Sequence, residues 1–243
     1  DRNVFNNFIT DLSVLNKLGL ATVVIHGGGP RIKRELEKSN IQSKFIRGLR
    51  VTDKNIIHIV ESVLIDFNND IVNSLKDKKT EAISIHTKNN NVIKVIPEAE
   101  ELGFVGIPND IDNEQILNVI KQNKIPIISP LGLDKENQTY NINGDTAAMA
   151  IAKSLKSRRL LLMTNVDGVL DKKKKLIEEI SSFEVIEMIK DKTITEGMIP
   201  KINACLDAVN NGVTAVGIIN GTKPHSCLWE IFSDKGSGTL IRK

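Results

Sequence analysis

Aromatic residues are scarce in this sequence, which has seven Phe, one Tyr and one Trp among its 243 residues. The hydrophobic core must therefore be built mainly from Ile, Leu and Val. The cysteines are also few, only Cys205 and Cys227. A disulfide framework needs more cysteines and usually a smaller chain, so we interpret both residues as free thiols and predict no metal site built on them.

Neither a strong charge nor a long apolar run is present. The formal net charge is +3, and the lysines are dispersed among asparagines and acidic residues. Nucleic-acid binding needs a concentrated cationic surface, so we expect no nucleic-acid partner. No apolar run approaches the length of a membrane span, so we expect no membrane partner either. The lysine run 172–175 is interpreted as the solvated tip of a hairpin.

Helices and strands alternate along the chain. Apolar residues at helical spacing predict helices at 3–17, 53–75, 113–122, 145–155 and 199–209. Short apolar runs predict strands at 21–25, 125–130, 160–163, 213–219 and 239–241. Residues 82–86 and 92–96 are predicted to pair as a hairpin, and 134–139 to be the turn of another. Several strands are apolar throughout, as in a mostly parallel α/β sheet covered on both faces.

A glycine turn, Gly27–Gly29, separates the predicted strand 21–25 from a helix that Pro30 can start. Glycines let a backbone approach a charged ligand closely, and a helix start supplies unpaired N–H groups. The turn therefore suits an anion such as a phosphoryl group, the alternative being a flexible strand–helix connection. It lacks the GxxxxGK[ST] pattern of a P-loop. His26, beside the glycines, is interpreted as a structural histidine bonded to the backbone.

Two further motifs in the first part of the chain carry polar groups. Arg50, within GLRVTD at 48–53, offers a planar donor fork suited to a carboxylate, the alternative being an ordinary surface arginine. The segment 140–148 delivers amides and the carboxylate of Asp145 to a helix start. Asp145 is either a helix cap or a carboxylate that orients lysines around a transferring phosphate.

The later part of the chain carries two more motifs. The loop 165–170 follows an apolar strand, and open α/β sheets bind ligands at the carboxyl ends of their strands. Its alternative interpretation is a plain turn, since Asp167-Gly168 is a common turn pair. Lys201 falls in the first turn of a predicted helix, where the dipole disfavours a cation. This placement suggests an anionic ligand nearby, the alternative being an exposed helix lysine.

In their order along the chain, HGGGP, GLRVTD, NxNxDTAA, LLxxTNVDGVLD and EGMIPK closely resemble the motifs of the amino-acid kinase family. GLRVTD and the stretch 224–239 resemble its N-acetylglutamate kinase branch. The resemblance implies a three-layer α/β/α sandwich with a mostly parallel central sheet, decorated by β-hairpins. It also implies a single domain, 1–243, whose N-terminal lobe 1–157 binds the acyl substrate and whose C-terminal lobe 158–243 binds the nucleotide.

The resemblance also implies roles for individual residues. Gly28 and Gly29 would contact the acyl substrate and the γ-phosphate, and Arg50 would clamp the α-carboxylate of the substrate. Asn141 would be a second substrate contact. Asp145 would organise the catalytic lysines, and Lys201 would neutralise charge on the nucleotide phosphates. The nucleotide-binding residues implied are Asn165, Val166, Asp167, Gly168, Val169, Leu170, Thr193, Ile194 and Thr195.

The implied reaction transfers the γ-phosphoryl group of ATP, with Mg²⁺, to the γ-carboxylate of N-acetyl-L-glutamate, a cytoplasmic step of arginine biosynthesis. The family also implies a homo-oligomer, either a dimer or a hexamer if an N-terminal helix exists upstream, and arginine as a feedback inhibitor. The family's opening strand and K-x-G-G loop are not found, so we interpret the sequence as truncated. Alternatives are a kinase for a related small acid, an arginine-binding regulatory protein and an inactive truncated homologue.

Overall fold

The computed structural model of this chain describes residues 1–194 and 198–243. The chain divides into two compact units. The N-terminal unit is Ser13–Ala147, and the C-terminal unit combines Asp1–Leu12 with Ala148–Lys243. The assignment of acyl-substrate binding to 1–157 and nucleotide binding to 158–243 stays a prediction.

Helices and strands alternate through most of the described residues. The α-helices are α1 (Arg2–Lys17), α2 (Gly29–Lys38), α3 (Lys54–Asp77), α4 (Asn113–Lys121), α5 (Gly144–Ser154), α6 (Ser182–Lys190), α7 (Ile199–Asn210) and α8 (Ser226–Phe232). The strands are β1 (Val24–Ile25), β2 (Phe45–Ile46), β3 (Leu49–Arg50), β4 (Ala82–Ile85), β5 (Ile93–Pro97), β6 (Gly106–Ile111), β7 (Ile125–Ile128), β8 (Leu131–Leu133), β9 (Thr139–Asn141), β10 (Arg159–Thr164), β11 (Glu179–Ser181), β12 (Ala215–Asn220) and β13 (Thr239–Arg242). Among the described residues, no helix is long and apolar enough to cross a lipid bilayer.

A parallel sheet in the order β1-β7-β4 lies in the N-terminal unit. All four residues of β7 are buried, as expected for a central strand covered on both faces. Because β4 pairs in parallel with β7, the predicted hairpin of 82–86 with 92–96 is wrong. The intervening turn forms only an isolated bridge between His86 and Asn89, and the chain then enters a different sheet.

That second sheet has the order β6-β5-β8-β9. β8 and β9 are antiparallel neighbours, which confirms the hairpin predicted around the turn 134–139. β6 carries no prediction from the sequence, and it pairs antiparallel with β5. A separate two-stranded hairpin, β2–β3, carries Arg50 at its end.

Helix α3 supports much of the N-terminal unit. Asp53 caps it, because its carboxylate accepts hydrogen bonds from the backbone N–H groups of Asn55 at 2.8 Å and Ile56 at 2.9 Å. Val60 and Leu64 are buried on one face of α3. They share a core cluster with apolar side chains of α2, so the periodicity of both helices is explained by one contact surface.

The C-terminal unit contains a sheet in the order β10-β12-β13-β11. β10 and β12 are parallel, so their carboxyl ends lie at the same edge of the sheet. Cys205 and Cys227 are both buried, and neither is part of a disulfide. Residues 179–190 carry no predicted element, yet they form β11 and α6, and α6 begins with a capping box. The lysine run 172–175 forms the exposed turn predicted for it.

Candidate functional site

The glycine turn follows β1 and leads directly into α2. Gly28 occupies the N-cap position of α2, and no side chain of the described residues caps this helix. A Cβ atom on Gly28 would lie 2.6 Å from Cδ2 of Leu64, so the turn rests against α3 and any larger residue would require Leu64 to shift. A Cβ atom on Gly27 or Gly29 would meet no atom of the described chain within 4 Å. Gly27 and Gly29 therefore border open space beside a helix start, a kind of position whose N–H groups can bind an anion.

The start of α5 lies beside the glycine turn. A Cβ atom on Gly144 would be 3.7 Å from the Cα atom of Gly27, so the two backbones approach to van der Waals distance. Asn143 caps α5, because its side-chain oxygen accepts a hydrogen bond from the N–H of Thr146 at 3.1 Å. Asp145 is half-buried in the first turn of α5, where the helix dipole stabilises a negative charge.

Arg50 is held on the β2–β3 hairpin by two contacts. Its guanidinium carbon lies 4.8 Å from the centre of the Phe45 ring, and Nη1 donates a hydrogen bond to the hydroxyl of Ser43. Arg50 is only 9% exposed, and this burial lowers its pKa from the usual value. Arginine stays protonated in proteins, so the site presents a fixed positive charge.

Asn141 is joined to the Arg50 strand through the backbone between them. The N–H of Asn141 donates to the carbonyl of Phe104 at 2.9 Å, and the N–H of Phe104 donates to the carbonyl of Thr52 at 2.7 Å. The side-chain amide of Asn141 donates to the hydroxyl of Thr52 at 3.5 Å, and that hydroxyl donates to the carbonyl of Arg50 at 2.9 Å. Thr52 therefore links two predicted substrate residues.

Glu61 secures β9, the strand that carries Asn141. Its carboxylate accepts hydrogen bonds from Thr87 at 2.6 Å and Thr139 at 3.0 Å, and it forms an ion pair with Lys88 at 3.2 Å. Burial alone would raise the pKa of Glu61, but the hydrogen bonds and the charge of Lys88 outweigh it, so the pKa lies below the ordinary value. No sequence motif pointed to Glu61, because its partners are far apart along the chain.

The predicted nucleotide loop begins at Asn165, directly after β10, in the C-terminal unit. Asp167 in this loop accepts a hydrogen bond from Asn220 at 2.7 Å and pairs with Lys223 at 2.9 Å. Those two contacts lower the pKa of Asp167. The sequence analysis did not identify Asn220 or Lys223. Asn220 lies at the carboxyl end of an apolar strand, and the same position after an apolar strand is what pointed to Asn165.

The rest of this loop is fixed by Thr239 at the start of β13. The buried Val169 donates its N–H to the Thr239 hydroxyl at 2.8 Å. Gly168 has φ +142°, and a Cβ atom there would lie 2.5 Å from the same hydroxyl, so glycine is required. Val166 and Leu170 each remain 41% exposed.

The second predicted nucleotide segment is described in part. Ile194 is buried in the core and donates its N–H to the carbonyl of Met188 at 3.0 Å. Thr193 donates its hydroxyl to Asp191 at 2.6 Å, and this bond, followed by one from Lys172, lowers the pKa of Asp191 to about 2. Because Ile194 is buried, its side chain packs in the core of the C-terminal unit. Thr195 lies outside the described residues.

Lys201 lies half-buried in the first turn of α7, where the sequence placed it. Two residues of its EGMIPK motif, Glu196 and Gly197, lie outside the described residues. The predicted site residues thus fall into two groups. Gly28, Gly29, Arg50, Asn141 and Asp145 belong to the N-terminal unit, and Lys201 belongs to the C-terminal unit with the predicted nucleotide residues. Within the N-terminal unit, backbone and hydrogen-bond contacts connect Gly27 to the start of α5 and Asn141 to Arg50.

The chain belongs to the amino acid kinase family, whose model matches residues 1–220. It is 54% identical over 243 residues to an acetylglutamate kinase of Pelagibacter ubique, covering 100% of this chain and 84% of that protein. It is 41% identical to an acetylglutamate kinase of Campylobacter fetus, covering 100% of this chain and 87% of that protein. These relatives confirm the resemblance inferred from the motifs and the class of enzyme that it implies, a kinase.

Solved structures confirm the predicted fold class, the α/β fold of the amino-acid kinases. The crystal structure of smu.665 from Streptococcus mutans UA159 matches with a TM-score of 0.81 at 31% identity, covering 96% of this chain and 91% of that one. A carbamate kinase from Giardia lamblia, bound to AMP-PNP, matches with a TM-score of 0.69 at 16% identity, covering 97% of this chain and 87% of that one. The second likeness concerns the fold alone.

Proposed function

We propose that this protein transfers the γ-phosphoryl group of ATP to the γ-carboxylate of N-acetyl-L-glutamate, giving N-acetyl-L-glutamyl 5-phosphate in the cytoplasmic synthesis of arginine. The supporting observation is a glycine turn, open at Gly27 and Gly29, that approaches the start of α5 within the unit that also holds Arg50. Relatives at 54% and 41% identity carry the name acetylglutamate kinase.

The acceptor needs no general base, because a carboxylate is already ionised near neutral pH. In the proposed complex Arg50 binds the α-carboxylate through its donor fork, and Asn141 provides a second polar contact. The γ-carboxylate then attacks the terminal phosphorus of ATP in line, the new C–O–P bond forms, and ADP leaves with the electrons of the broken P–O bond. Protein groups mainly position the reactants and neutralise charge.

We assign the stabilisation of charge on the transferring phosphoryl group to the N–H groups of Gly28 and Gly29, and the neutralisation of charge on the nucleotide phosphates to the ammonium group of Lys201. Loss of one such donor raises the barrier by about 3 kcal/mol in comparable sites. Asp145, at the start of α5, would orient the lysine ammonium groups.

Magnesium enters the proposed reaction as part of the Mg·ATP substrate. Among the described residues, no three His, Cys, Asp or Glu side chains group closely enough to hold a metal ion. Mg²⁺ commonly binds through substrate phosphates and keeps several waters, so the ion would arrive bound to ATP. The nucleotide itself would lie on the loop 165–170 and on Thr193–Thr195.

A direct test measures ADP formation by the full-length protein with different acceptors. N-acetyl-L-glutamate should be used far better than N-acetyl-L-aspartate or N-acetyl-L-α-aminoadipate, which differ from it by one methylene group. Hydroxylamine should trap the acyl phosphate as a hydroxamate. Preference for either analogue would favour the related-acid kinase instead, and ATP consumption without hydroxamate would refute transfer to a carboxylate.

Arginine binding and self-association form a second part of the proposal. In the C-terminal unit the carboxylate of Glu230 is buried, accepts a hydrogen bond from the N–H of Ser237 at 2.8 Å, and binds the guanidinium of Arg159 at 3.3 Å. These contacts occupy the Glu230 carboxylate, so the proposal of arginine as a feedback inhibitor near 225–239 rests on the resemblance of that stretch to arginine-inhibited kinases of the family. Titration calorimetry with arginine should show binding, and sedimentation should show a homodimer or a hexamer. Arginine binding without any kinase activity would favour a regulatory protein.

A further inference from the structure

A row of buried polar side chains runs from helix α3 to the glycine turn. The amide nitrogen of Asn68 donates to the hydroxyl oxygen of Ser129 at 2.9 Å, and that hydroxyl lies 3.3 Å from Nε2 of His26. Nδ1 of His26 lies 3.1 Å from the carbonyl oxygen of Gly27. Asn68 and Ser129 have no exposed surface, and His26 is 7% exposed. Polar groups buried this deeply must be hydrogen-bonded.

The direction of each hydrogen bond follows from its partners. The side-chain oxygen of Asn68 accepts from Ser84 at 2.8 Å, so its nitrogen faces the Ile127 carbonyl and Ser129, both at 2.9 Å. The Ser129 oxygen accepts from Asn68, which leaves its own hydrogen to be donated. Two acceptors lie within reach of that hydrogen, Nε2 of His26 at 3.3 Å and the carbonyl of Leu64 at 3.4 Å, so the position of the histidine's own hydrogen decides the contact between Ser129 and His26.

His26 must then carry its hydrogen on Nδ1. The Gly27 carbonyl can only accept, so Nδ1 is the donor, and the neutral ring leaves Nε2 as the acceptor for Ser129. Burial, with a smaller contribution from the charge of Arg31, lowers the pKa of His26 to about 4 despite the bond to Gly27. The ring also packs edge-on against Phe67, with 5.0 Å between ring centres. The ring is thus held in one orientation as a neutral donor.

The bond from His26 fixes more than the carbonyl it reaches. The carbonyl of Gly27 and the N–H of Gly28 belong to one planar trans peptide, so they point in opposite directions. If the carbonyl is held against the buried histidine, the N–H of Gly28 points away from it. Between two glycines this peptide could otherwise rotate at little cost, because neither residue has a Cβ atom to restrict φ and ψ.

We propose that His26 is a positioning residue, which holds the Gly27–Gly28 peptide so that the N–H of Gly28 faces the transferring phosphoryl group. This inference rests on the proposed function. Ser129 and Asn68 extend the support to α3 and to the parallel sheet, since Asn68 also donates to the carbonyl of Ile127 in β7. The orientation of the glycine turn is thereby fixed by buried side chains that are not part of the turn.

Two matched substitutions separate the two ring nitrogens. The amide nitrogen of Asn is as many bonds from Cβ as Nδ1, so His26→Asn can still donate to the Gly27 carbonyl. The amide of Gln reaches the position of Nε2, so His26→Gln can bond Ser129 but not Gly27. Both variants lose the ring that packs on Phe67, so loss of packing affects them alike.

Steady-state kinetics of the two full-length variants should therefore differ in kcat. Loss of one donor to a transition state commonly lowers kcat about 100-fold or more. His26→Gln keeps the N–H of Gly28 but no longer fixes its direction, so its kcat should fall by about 10–100-fold. KM for N-acetyl-L-glutamate should change by less than about threefold, and His26→Asn should keep a kcat about tenfold above that of His26→Gln. Equal losses of kcat that follow the loss of thermal stability would show a structural role only and overturn the proposal.

A second measurement does not depend on activity. Long-range ¹H–¹⁵N spectra of the unaltered protein report which imidazole nitrogen carries the hydrogen, and Nδ1 is expected. Hydrogen on Nε2 would overturn the proposal even if neither variant folds. Absence of turnover with N-acetyl-L-glutamate in the unaltered protein would instead refute the proposed function, while the spectra would still decide the geometry of His26.

Discussion

Substitution of Gly28 by alanine should destabilise the N-terminal unit through a single contact. The new Cβ atom would lie 2.6 Å from Cδ2 of Leu64, where carbon atoms prefer about 3.5–4.0 Å, so the groups must separate by about 1 Å. Leu64 is 1% exposed within a packed cluster and has little room to yield. Overpacking of this kind costs about 1–3 kcal/mol. The φ of Gly28 is −153°, outside the left-handed region, so the contact with Leu64 is the cost that this prediction counts.

Urea denaturation followed by circular dichroism would measure this cost. A loss of about 2 kcal/mol moves the midpoint by about 1 M when the slope is about 2 kcal/mol per M. Gly27→Ala is the matched control, since its Cβ atom would meet no described atom within 4 Å, and it should be neutral or stabilising by about 0.4–1 kcal/mol.

The contact can be isolated with a double-mutant cycle. Leu64→Val removes the atom that the new methyl group strikes, so Gly28→Ala should cost clearly less in that background. Equal costs in both backgrounds, or a Gly27→Ala cost as large as that of Gly28→Ala, would refute the packing of the glycine turn on α3.

Three further substitutions test the site. Arg50→Gln should raise KM for the acceptor about tenfold or more, since a hydrogen bond to a charged group contributes about 1.5–3 kcal/mol, whereas the control Arg47→Gln, at an arginine whose side chain is 80% exposed, should not. Lys201→Ala should lower kcat far more than it changes either KM, and an unchanged kcat would contradict its assigned role. Glu61→Gln should lower the free energy of unfolding by about 1–3 kcal/mol at pH 7. Because the folded-state pKa of Glu61 is lowered, its contribution exists above the unfolded value of 4.5 and fades as pH falls through the folded pKa. A Glu61→Gln difference from the unaltered protein that is as large at pH 3 as at pH 7 would contradict this.

Local patterns predicted much of the secondary structure, because the interactions that set it act within a few residues. The apolar stripe of 53–75 and the cap at Asp53 gave α3 to within a few residues. The same local reasoning failed for 82–96, where two alternating strands and a turn suggested a hairpin. Pairing of β4 with β7 is decided by burial beside a strand some 40 residues away, which no local pattern contains.

The candidate site shows the same division. Its glycines, arginine and lysine were found in the sequence because each is a residue type suited to a charged ligand. The residues that hold them, such as Thr52, Ser129 and Asn220, were not found, since hydroxyl and amide side chains occur in every kind of surface and turn. Their roles can be identified only from their hydrogen-bond partners in the folded structure.

By itself the sequence determined the alternation of helices and strands, the family, and the types of side chain offered to a ligand, because these depend on composition, spacing and ordered motifs. Only the tertiary structure decided which strands pair, and that the ring of His26 lies against the Gly27 carbonyl on one side and against Ser129, 103 residues away, on the other. The physical reason is that a buried hydrogen bond depends on distance and direction between folded backbones, and these are set jointly by all the packed elements.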